Sequence, residues 1–378
     1  MKLLIHSTAF WPHVGGVESV VMTLAKGFAR EAVEVTLVTT TPRGTASDVD
    51  LPFRVVRQPR LSEFVRLLRE SHIVHLAGPA MLPLALTLLL RRPVVLEHHG
   101  FQTICPNGQL FYEPTRTTCP GHFMAGRHRE CWRCNAHSGR WRSVRMWVLT
   151  FPRRWLSRLV KINIAPTHSL QDALRLPRTS VIWHGVDALD FDPRRFLGEP
   201  PSFVYLGRLV STKGVHLLLD AAYQVRKKGL AFRVKLIGDG PERGRLQAQS
   251  QALGLEETVQ FLGYLPMAAV EESLAGARAV VMPSLAGEVF GLVAAENMMR
   301  GCLMIVPDQG ALAEVIGDAG LKFKSGDAKD LAARLEDVLR LPEMAVAFGQ
   351  RARLRSHEVF SQERMIAAHL EHYHRILR

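Results

Sequence analysis

The chain has 378 residues, of which 47% are hydrophobic and 22% are charged. This length is too great for one small core and predicts at least two domains, and the composition excludes a collagen-like or low-complexity protein. The net charge of +13 is concentrated in residues 1–200, which hold 26 Lys and Arg against 15 Asp and Glu, whereas residues 201–378 hold 22 against 20. A basic first half indicates a partner with negative charge, such as a nucleic acid, an anionic lipid or a phosphate-bearing substrate.

The first residues predict a strand rather than a targeting segment, because an apolar run follows Met1-Lys2 directly and no small-residue cleavage site comes after it. The longest apolar stretch, 76–90, is interrupted by glycine and proline and is shorter than the roughly 20 residues that cross a bilayer. We therefore expect a cytoplasmic protein.

Strand-like apolar runs alternate with helical patterns throughout the first half of the chain. Near-continuous apolar strands fit a parallel sheet that helices cover on both faces. The predicted strands cover residues 3–6, 33–39, 53–56, 73–76, 94–97, 162–165 and 180–183, and the clearest helices cover 17–30 and 81–90.

A stretch rich in proline and glycine, residues 185–201, is interpreted as a linker. We predict two Rossmann-like, doubly wound α/β domains, 1–184 and 202–360, with ligands in a central cleft at the carboxyl ends of the strands. A last helix within 361–378 is expected to return to the first domain. The second domain is predicted to contain strands at 203–206, 233–237, 259–262, 280–283 and 303–306, and helices at 215–228, 242–253 and 292–300.

Two acids flank a turn and a helix start in the most informative segment of the chain. Glu288 lies in the loop after a predicted strand, Gly291 permits a tight turn, and Glu296 lies in the second turn of a helix that begins near Leu292. Backbone N–H groups at a helix start can hold a phosphate, and carboxylates accept hydrogen bonds from hydroxyl groups. The segment suits a nucleotide sugar, although a capped helix with two exposed glutamates would give the same pattern.

Two cations follow the first strand of the second domain. Arg208 stands at the strand end and Lys213 at the next helix start, where both could neutralise a diphosphate as it leaves. An ordinary basic loop is the alternative. The later turn Gly238-Asp239-Gly240-Pro241 also closes a strand and opens a helix, and by itself it is only a weak turn signal.

In combination these motifs resemble glycosyltransferase family 4, retaining enzymes of the GT-B fold. The resemblance extends over nearly the whole chain, and it is specific for fold and chemistry rather than for substrate. The residues that carry it are Gly15-Gly16 with Glu18, Gly207-Arg208 with Lys213-Gly214, Gly238-Asp239-Gly240-Pro241, and Glu288 with Glu296 around Phe290-Gly291-Leu292.

The resemblance implies roles for the second domain. Arg208 and Lys213 bind the donor diphosphate, Glu288 holds the transferred sugar, and Glu296 holds the ribose. The donor also contacts the turn between the two acids and packs its base near two further residues, so the implied donor site includes Phe290, Gly291, Leu292, Gly240 and Tyr264.

The resemblance also implies residues of the first domain. Gly15 and Gly16 form the loop that approaches the phosphate and the reacting sugar, where a side chain would clash. A histidine that contacts the donor sugar corresponds to His99, which we prefer to His98 because Gly100 follows it. The catalytic residues implied in this way are His99, Glu288, Arg208 and Lys213.

Retention in this family is attributed to attack on the face from which the diphosphate leaves, with the diphosphate helping to remove the acceptor proton. The resemblance therefore implies neither a protein nucleophile nor a metal for transfer. One departure concerns His184, which stands where the family commonly has Asn before Gly-Val-Asp. Contacts of this segment with an acceptor are left open.

An insertion at about 101–160 contains four of the five cysteines. One Cys-x2-Cys pair plus two spaced cysteines can make a structural, tetrahedral zinc site, with His122 and His128 as alternative ligands. Reduced thiols in a loop are the other interpretation. The four predicted ligands are Cys105, Cys119, Cys131 and Cys134.

The insertion is also strongly basic, with ten Lys and Arg against the single acid Glu130 between Arg127 and Lys161. Four tryptophans lie in the same segment, and tryptophan with basic residues suits an anionic membrane surface. We predict a peripheral enzyme on the inner face of the plasma membrane that glycosylates a lipid-linked or glycan acceptor; a soluble basic helix is the alternative. The tryptophans are Trp132, Trp141, Trp147 and Trp155.

The sequence leaves three rival functions. A nucleic-acid-binding protein with a zinc module would explain the arginines and cysteines but not the second domain, so no nucleic-acid partner is expected. Another GT-B enzyme, such as a glycogen-type synthase or a sugar-phosphate synthase, shares the same motifs. A sugar-binding protein without activity conflicts with the intact acids and cations.

Overall fold

The computed structural model describes residues 1–13, 15–43, 48–188 and 199–378, which divide into two compact units. Unit 1 comprises Met1–Leu110, Pro120–Gly185 and Ser361–Arg378. Unit 2 comprises Phe111–Cys119 and Val186–Phe360. Part of the predicted linker, residues 189–198, lies outside the described residues.

Unit 1 is built on a seven-stranded parallel sheet in the order β3-β2-β1-β4-β5-β8-β9. The chain order reverses between β1 and β4, which is the position where open α/β sheets bind ligands. The strands are β1 Lys2–Ser7, β2 Glu34–Thr39, β3 Arg54–Arg57, β4 Ile73–Ala77, β5 Val94–Glu97, β8 Ile162–Ala165 and β9 Thr179–Val181.

Helices cover this sheet, and the C-terminal helix is one of them. Strands β5 and β8 are buried along their whole length, as a sheet covered on both faces requires. The helices of unit 1 are α1 Gly16–Arg30, α2 Leu61–Glu70, α3 Met81–Leu89, α4 His128–Asn135, α5 Arg140–Ser157, α6 His168–Leu174 and α14 Gln362–Leu377, with a 3-10 turn at Ala136–Ser138.

The C-terminal helix α14 packs on α1 at a glycine. A Cβ atom on Gly27 would lie 2.4 Å from Cδ1 of Ile366, so the absence of a side chain allows the two helices to approach closely. Ser361 caps α14, since its Oγ accepts a hydrogen bond from the N–H of Arg364 at 3.2 Å. The end of the chain is thereby fixed to the first unit.

Unit 2 is built on a six-stranded parallel sheet in the order β12-β11-β10-β13-β14-β15. The chain order of this sheet reverses between β10 and β13, and such a position is called the switch point of the sheet. The elements are β10 Ser202–Leu206, a 3-10 turn Ser211–Lys213, α7 Val215–Lys227, β11 Arg233–Ile237, α8 Arg243–Ala252, β12 Val259–Gly263, α9 Met267–Leu274, β13 Ala277–Val281, α10 Leu292–Met299, β14 Met304–Pro307, α11 Gly310–Ile316, β15 Leu321–Phe323, α12 Ala328–Arg340 and α13 Glu343–Val359.

The two α/β sheets agree with the predicted fold class. The insertion differs from the prediction in one place, because the prediction assigned all of 101–160 to the first domain. Two short antiparallel strands, β6 Phe111–Tyr112 and β7 Thr117–Thr118, form a hairpin within the segment that belongs to unit 2. The rest of the insertion, including α4 and α5, belongs to unit 1.

Candidate active site

The predicted donor-binding residues of unit 2 gather at its switch point. Strands β10 and β13 are parallel neighbours, so the loops that follow them leave the same edge of the sheet. Arg208 and Lys213 lie in the loop after β10, and Glu288 lies in the loop after β13. Adjacent parallel strands therefore bring together residues that are far apart in sequence.

Close backbone packing joins these two loops. Gly214 has φ +62°, and a Cβ atom there would lie 2.1 Å from the carbonyl oxygen of Pro283. The N–H of Leu285 donates to the carbonyl oxygen of Thr212 at 2.8 Å, and the N–H of Ala286 approaches the same oxygen at 3.2 Å. Only glycine allows this approach, which fixes the position of Lys213 relative to the loop after β13.

Lys213 and Glu288 form an ion pair at this junction. The Nζ of Lys213 donates to Oε1 of Glu288, and the Oγ of Ser284 donates to the same oxygen at 3.2 Å. Both side chains are partly buried, with exposed fractions of 24% for Lys213 and 15% for Glu288. The family resemblance implies separate roles for these two residues, and the structure shows that they are in direct contact.

The turn between the two acids begins helix α10. Gly291 has φ +97° at the N-cap, and a Cβ atom there would lie 2.4 Å from Cδ2 of the buried Leu312. Phe290 is buried against Phe360, with ring centroids 5.4 Å apart. Leu292 is the first helical residue, so the N–H groups at this end have no partner within the helix and can receive an anion.

Glu296 lies one turn further along α10. Burial raises the pKa of its carboxyl group, Arg300 opposes the shift, and Asp187 adds to it. Such a carboxyl group gains from a ligand that donates hydrogen bonds to it, because it has lost part of its hydration.

The other predicted donor residues lie around this edge. Arg208 is exposed, and its carbonyl oxygen accepts a hydrogen bond from the buried Tyr205 hydroxyl at 2.8 Å. A Cβ atom on Gly240 would lie 2.4 Å from the carbonyl oxygen of Leu209, so the turn after β11 packs on the loop that carries Arg208. Tyr264 is 76% exposed just after β12.

Unit 1 has a cavity of about 260 Å³ at its own switch point. Ser7 at the end of β1 and Ala77 at the end of β4 line it, together with Glu18 from the first turn of α1, His99 and Arg153. The predicted Gly15 and Gly16 lie at the start of α1 beside this cavity, and Gly15 has an extended backbone, with φ −173°.

The two adjacent histidines after β5 have different surroundings. His98 is fully buried, and its Nε2 donates to Oδ1 of Asn163 at 2.9 Å. The amide nitrogen of Asn163 donates to two backbone carbonyls, which fixes the amide oxygen toward His98. Burial lowers the pKa of His98 to about 4, so this imidazole is a neutral part of the core. His99, by contrast, lines the cavity.

A buried carboxylate lies behind His99 and is surrounded by histidines. Nε2 of His75 lies 3.0 Å from Oε2 of Glu97, and Nε2 of His369 on α14 lies 3.7 Å from the same oxygen. Burial by itself raises the pKa of Glu97, but His99, His369 and His75 outweigh it and hold that pKa well below its usual range. This cluster was not predicted from the sequence.

His184 belongs to the same cluster. Its ring stacks on that of His99 with centroids 5.4 Å apart, and its Nδ1 lies 3.5 Å from Oε1 of Glu97. Burial lowers the pKa of His184 to about 3. The departure from Asn at this position thus places a neutral imidazole against the predicted sugar-contacting histidine.

The cluster supplies ligand atoms that a metal ion could use. His75, Glu97 and His369 form one group and Glu97, His99 and His184 a second, with the ligand atoms of each group within 4.8 Å of one another.

The four cysteines that are predicted to bind zinc lie outside these two groups. The Sγ of Cys105 donates to Oδ1 of Asn107 at 3.0 Å, and the amide nitrogen of Asn107 lies 3.7 Å from Sγ of Cys134. Cys119 belongs to unit 2, whereas the other three cysteines belong to unit 1. Among the described residues, the groups of three or more ligand atoms within 4.8 Å contain no cysteine, and zinc at the cysteines stays a prediction.

The basic helix α5 exposes apolar side chains. Trp141 is 84% exposed and Trp155 is 60% exposed, and Trp132 on α4 is 50% exposed. Trp147 instead packs edge-on against Phe151, with centroids 5.1 Å apart. In the described part of the chain, no helix has both the length and the hydropathy that a membrane span requires.

Both halves of the chain match known family models. Residues 14–188 match the model described as Glycosyltransferase Family 4, and residues 188–355 match the model described as Glycosyl transferases group 1.

Several curated proteins resemble parts of the chain. WcaL of Salmonella typhimurium, a glycosyltransferase named for colanic acid biosynthesis, is 30% identical over 166 residues, which are 42% of this chain and 41% of that protein. The glycogen synthase of Mycobacterium tuberculosis is 27% identical over 288 residues, 75% of this chain and 69% of the synthase. The phosphatidyl-myo-inositol mannosyltransferase of Mycobacterium leprae is 32% identical over 190 residues, or 48% and 49% of the two chains. The match to WcaL and to the mannosyltransferase thus spans about half of their length or less.

Solved structures share the fold over the whole chain. HepE of Anabaena, in complex with UDP, has a TM-score of 0.72 at 19% identity and covers 98% of this chain and 99% of its own. The sucrose-phosphate synthase of Thermosynechococcus elongatus has a TM-score of 0.75 at 19% identity, covering 99% and 98%. At this identity the likeness establishes the fold, which is GT-B.

Proposed function

Because this chain belongs to the glycosyltransferases that combine a Glycosyltransferase Family 4 domain with a group 1 domain, we propose that it is a retaining hexosyltransferase that uses a nucleotide sugar with UDP or GDP as donor. The observation that carries the proposal is the junction at the switch point of unit 2. There Lys213, Glu288 and the start of α10 come together at the carboxyl ends of parallel strands. This is the edge of an α/β sheet where nucleotides bind.

The donor diphosphate is assigned to Arg208, Lys213 and the N-terminus of α10. An ammonium group has three N–H donors, so Lys213 can donate hydrogen bonds to Glu288 and to a phosphate oxygen at the same time. The lysine then connects the carboxylate proposed for the sugar hydroxyls to the phosphate proposed as the leaving group. The ion pair therefore couples two parts of one donor molecule.

Glu296 is proposed to hold the ribose, with Gly240 and Tyr264 near the base. A ribose diol donates hydrogen bonds that a partly desolvated carboxyl group lacks, and burial is the main cause of the raised pKa of Glu296. From unit 1 we propose His99 as the residue that contacts the transferred sugar, with Gly15 and Gly16 as the loop that approaches the phosphate. The cavity lined by His99 and Glu18 supports this assignment.

The proposed reaction exchanges one C–O bond for another. The bond from the anomeric carbon to the diphosphate breaks, and the acceptor oxygen bonds the same carbon on the same face. The acceptor proton passes to the departing diphosphate. Arg208 and Lys213 stabilise the negative charge that develops on the leaving group, which is where fixed cations accelerate such a step.

The names of the relatives support a role in cell-surface polysaccharide or glycolipid synthesis. WcaL is named for colanic acid biosynthesis, and the mannosyltransferase is named for phosphatidyl-myo-inositol. HepE has been solved with UDP and with UDP-glucose, which supports a nucleotide-sugar donor. A glycogen-type synthase is the second candidate, because the match to glycogen synthase spans 75% of this chain. An acceptor screen with glycogen and with lipid-linked sugars separates the two.

The exposed tryptophans of the basic helix support binding to an anionic membrane surface on the cytoplasmic side. Flotation with vesicles of anionic and of neutral lipid tests this proposal. We expect binding to anionic vesicles at low salt, reduced in Trp141→Ala/Trp155→Ala and unchanged in Tyr264→Ala, which removes an exposed aromatic side chain from unit 2. Failure of the wild type to float at low salt contradicts membrane docking.

A donor hydrolysis screen tests the catalytic proposal. The purified chain is incubated with common UDP and GDP sugars, and the released nucleotide is measured. We expect slow release from one donor and little release in Glu288→Ala. If the folded protein neither binds nor hydrolyses any donor in the panel, the proposed function is wrong.

A further inference from the structure

The hairpin of β6 and β7 belongs to the unit that carries the proposed donor site, although the chain on both sides of it belongs to the other unit. Phe111 and Tyr112 are buried, whereas Thr117 and Thr118 on the partner strand are exposed. Two strands of two residues each cannot be stable alone. Contacts with other parts of unit 2 therefore hold the hairpin in that unit.

The first contact is with the loop that carries Glu288. The Oγ1 of Thr118 donates to the carbonyl oxygen of Leu285 at 2.7 Å. On its other side, the N–H of Leu285 donates to the carbonyl oxygen of Thr212 at 2.8 Å. Residue 285 is thus held from both sides, three positions before Glu288 and beside the turn that ends in Lys213.

The second contact is with the turn that contains Gly240. Nη2 of Arg116 lies 2.6 Å from Oε2 of Glu242, with exposed fractions of 33% and 22% for the two side chains. The N–H of Glu242 donates to the carbonyl oxygen of Leu209 at 3.0 Å. Leu209 directly follows Arg208, so the hydrogen bond from Glu242 holds the backbone next to Arg208, which is proposed to bind the diphosphate.

We propose that this hairpin positions the loops of the donor site, with Thr118 and Arg116 as positioning residues for the binding of a nucleoside diphosphate sugar. The inference rests on the proposed function. Each residue holds one of the two loops, Thr118 the one with Glu288 and Arg116 the one next to Arg208. Neither residue needs to touch the donor.

The physical reason is preorganisation. A loop that is ordered before the ligand arrives does not lose that conformational freedom on binding, and affinity rises accordingly. The Thr118–Leu285 bond is exposed, so water can replace it and its contribution to overall stability is small. Its loss should therefore appear in donor affinity rather than in the melting temperature.

Three variants at neighbouring positions provide a matched test. Thr118→Val keeps the shape of the side chain and removes the hydroxyl that donates the hydrogen bond, whereas Thr118→Ser keeps that hydroxyl. Thr117→Val is the control, because within the described part of the chain Oγ1 of Thr117 is hydrogen-bonded only to Oγ1 of Thr115 in the same hairpin, at 2.7 Å. Donor KM, kcat, the Kd of UDP and of GDP, and the melting temperature are measured for each.

We expect Thr118→Val to raise donor KM and nucleotide Kd about 2- to 5-fold with little change in melting temperature. Thr118→Ser should restore the wild-type values, and Thr117→Val should match wild type. Arg116→Gln should raise the same constants. Its effect and that of Glu242→Gln should add up to less than their sum in the double variant, because both remove the Arg116–Glu242 pair, although Glu242→Gln also removes the pair with Arg245.

The inference is overturned if Thr118→Val and Thr117→Val behave alike, or if Thr118→Ser is as impaired as Thr118→Val. Both results leave the proposed function intact, since wild-type nucleotide binding is measured in the same series. If the wild type itself binds neither UDP nor GDP, the proposed function fails and this inference fails with it.

Discussion

The Nζ of Lys213 donates to Oε1 of Glu288, 75 positions further along the chain. The contact exists because Gly214 packs against the carbonyl group of Pro283, where any side chain would clash. A cation and a carboxylate are thus held together at the switch point of unit 2, in the place where the donor diphosphate and its sugar are proposed to bind.

Removing the lysine charge should weaken donor binding. We expect Lys213→Met to raise the Kd of the nucleotide sugar about 10- to 100-fold, because a charge-assisted hydrogen bond to phosphate contributes roughly 1.5–3 kcal/mol. Isothermal titration with the donor measures this. Lys228→Met is the control, since it breaks another lysine–glutamate pair of unit 2, Lys228 with Glu336. Equal affinities in the two variants contradict the assignment.

The glycine at the start of α10 should be intolerant of a side chain. Gly291→Ala is expected to destabilise unit 2 by more than the roughly 1–3 kcal/mol of a left-handed residue, because the new Cβ also meets the buried Leu312 at 2.4 Å. Gly229→Ala isolates the backbone cost, since Gly229 has φ +77° and nothing within 4 Å of the added atom. Urea unfolding compares the two, and an equal loss in both contradicts the close packing at Gly291.

Stability should fall as the pH drops below about 6.5. Burial lowers the pKa of His98 to about 4 and that of His184 to about 3, whereas the unfolded chain has the ordinary value near 6.5. Between these values the unfolded state binds a proton that the folded state does not, so protonation favours unfolding. Each such histidine should steepen the loss of stability, up to about 1.4 kcal/mol per pH unit.

Urea unfolding between pH 7.5 and 5 measures this dependence. His98→Gln retains a donor for Asn163 and removes one titrating group, so its stability should fall less steeply with decreasing pH. A flat profile for the wild type, or the same slope in the variant, contradicts a neutral buried His98.

Metal analysis should decide the prediction for the cysteines. A structural zinc at Cys105, Cys119, Cys131 and Cys134 requires about one equivalent in the purified protein, lost in Cys131→Ser/Cys134→Ser. Zinc well below one equivalent contradicts the site. Zinc that persists in this variant but is lost in His369→Gln would instead locate the ion at His75, Glu97 and His369.

Much of the fold could be predicted because the spacing of apolar residues and the positions of turn residues can be seen in short stretches of sequence. The predicted helix at 215–228 corresponds to α7 Val215–Lys227, and that at 292–300 to α10 Leu292–Met299. The strand predicted at 280–283 corresponds to β13, which begins earlier, at Ala277. The prediction missed its first residues because Arg278 interrupts the apolar run in the sequence, although Arg278 is buried in β13 and pairs with Glu199.

The features that sequence analysis missed all depend on long-range packing. His75 and Tyr373 are hydrogen-bonded at 2.7 Å across 298 positions, and only the folded chain brings the C-terminal helix to the sheet. The hairpin gives no local signal either, because strands of two residues have no measurable period. The run Glu97-His98-His99 at the end of β5 and the unusual His184 were local hints of the buried network.

Proton NMR of the reaction observes directly whether the chain transfers a sugar from a nucleotide sugar. With the correct donor and a lipid-linked or glycan acceptor, we expect loss of the anomeric signal of the donor and growth of a product signal with the same anomeric configuration. Glu288→Gln and Lys213→Met should slow both changes. If a folded wild-type protein leaves every tested UDP and GDP sugar intact, with and without acceptor, the proposed sugar transfer is wrong.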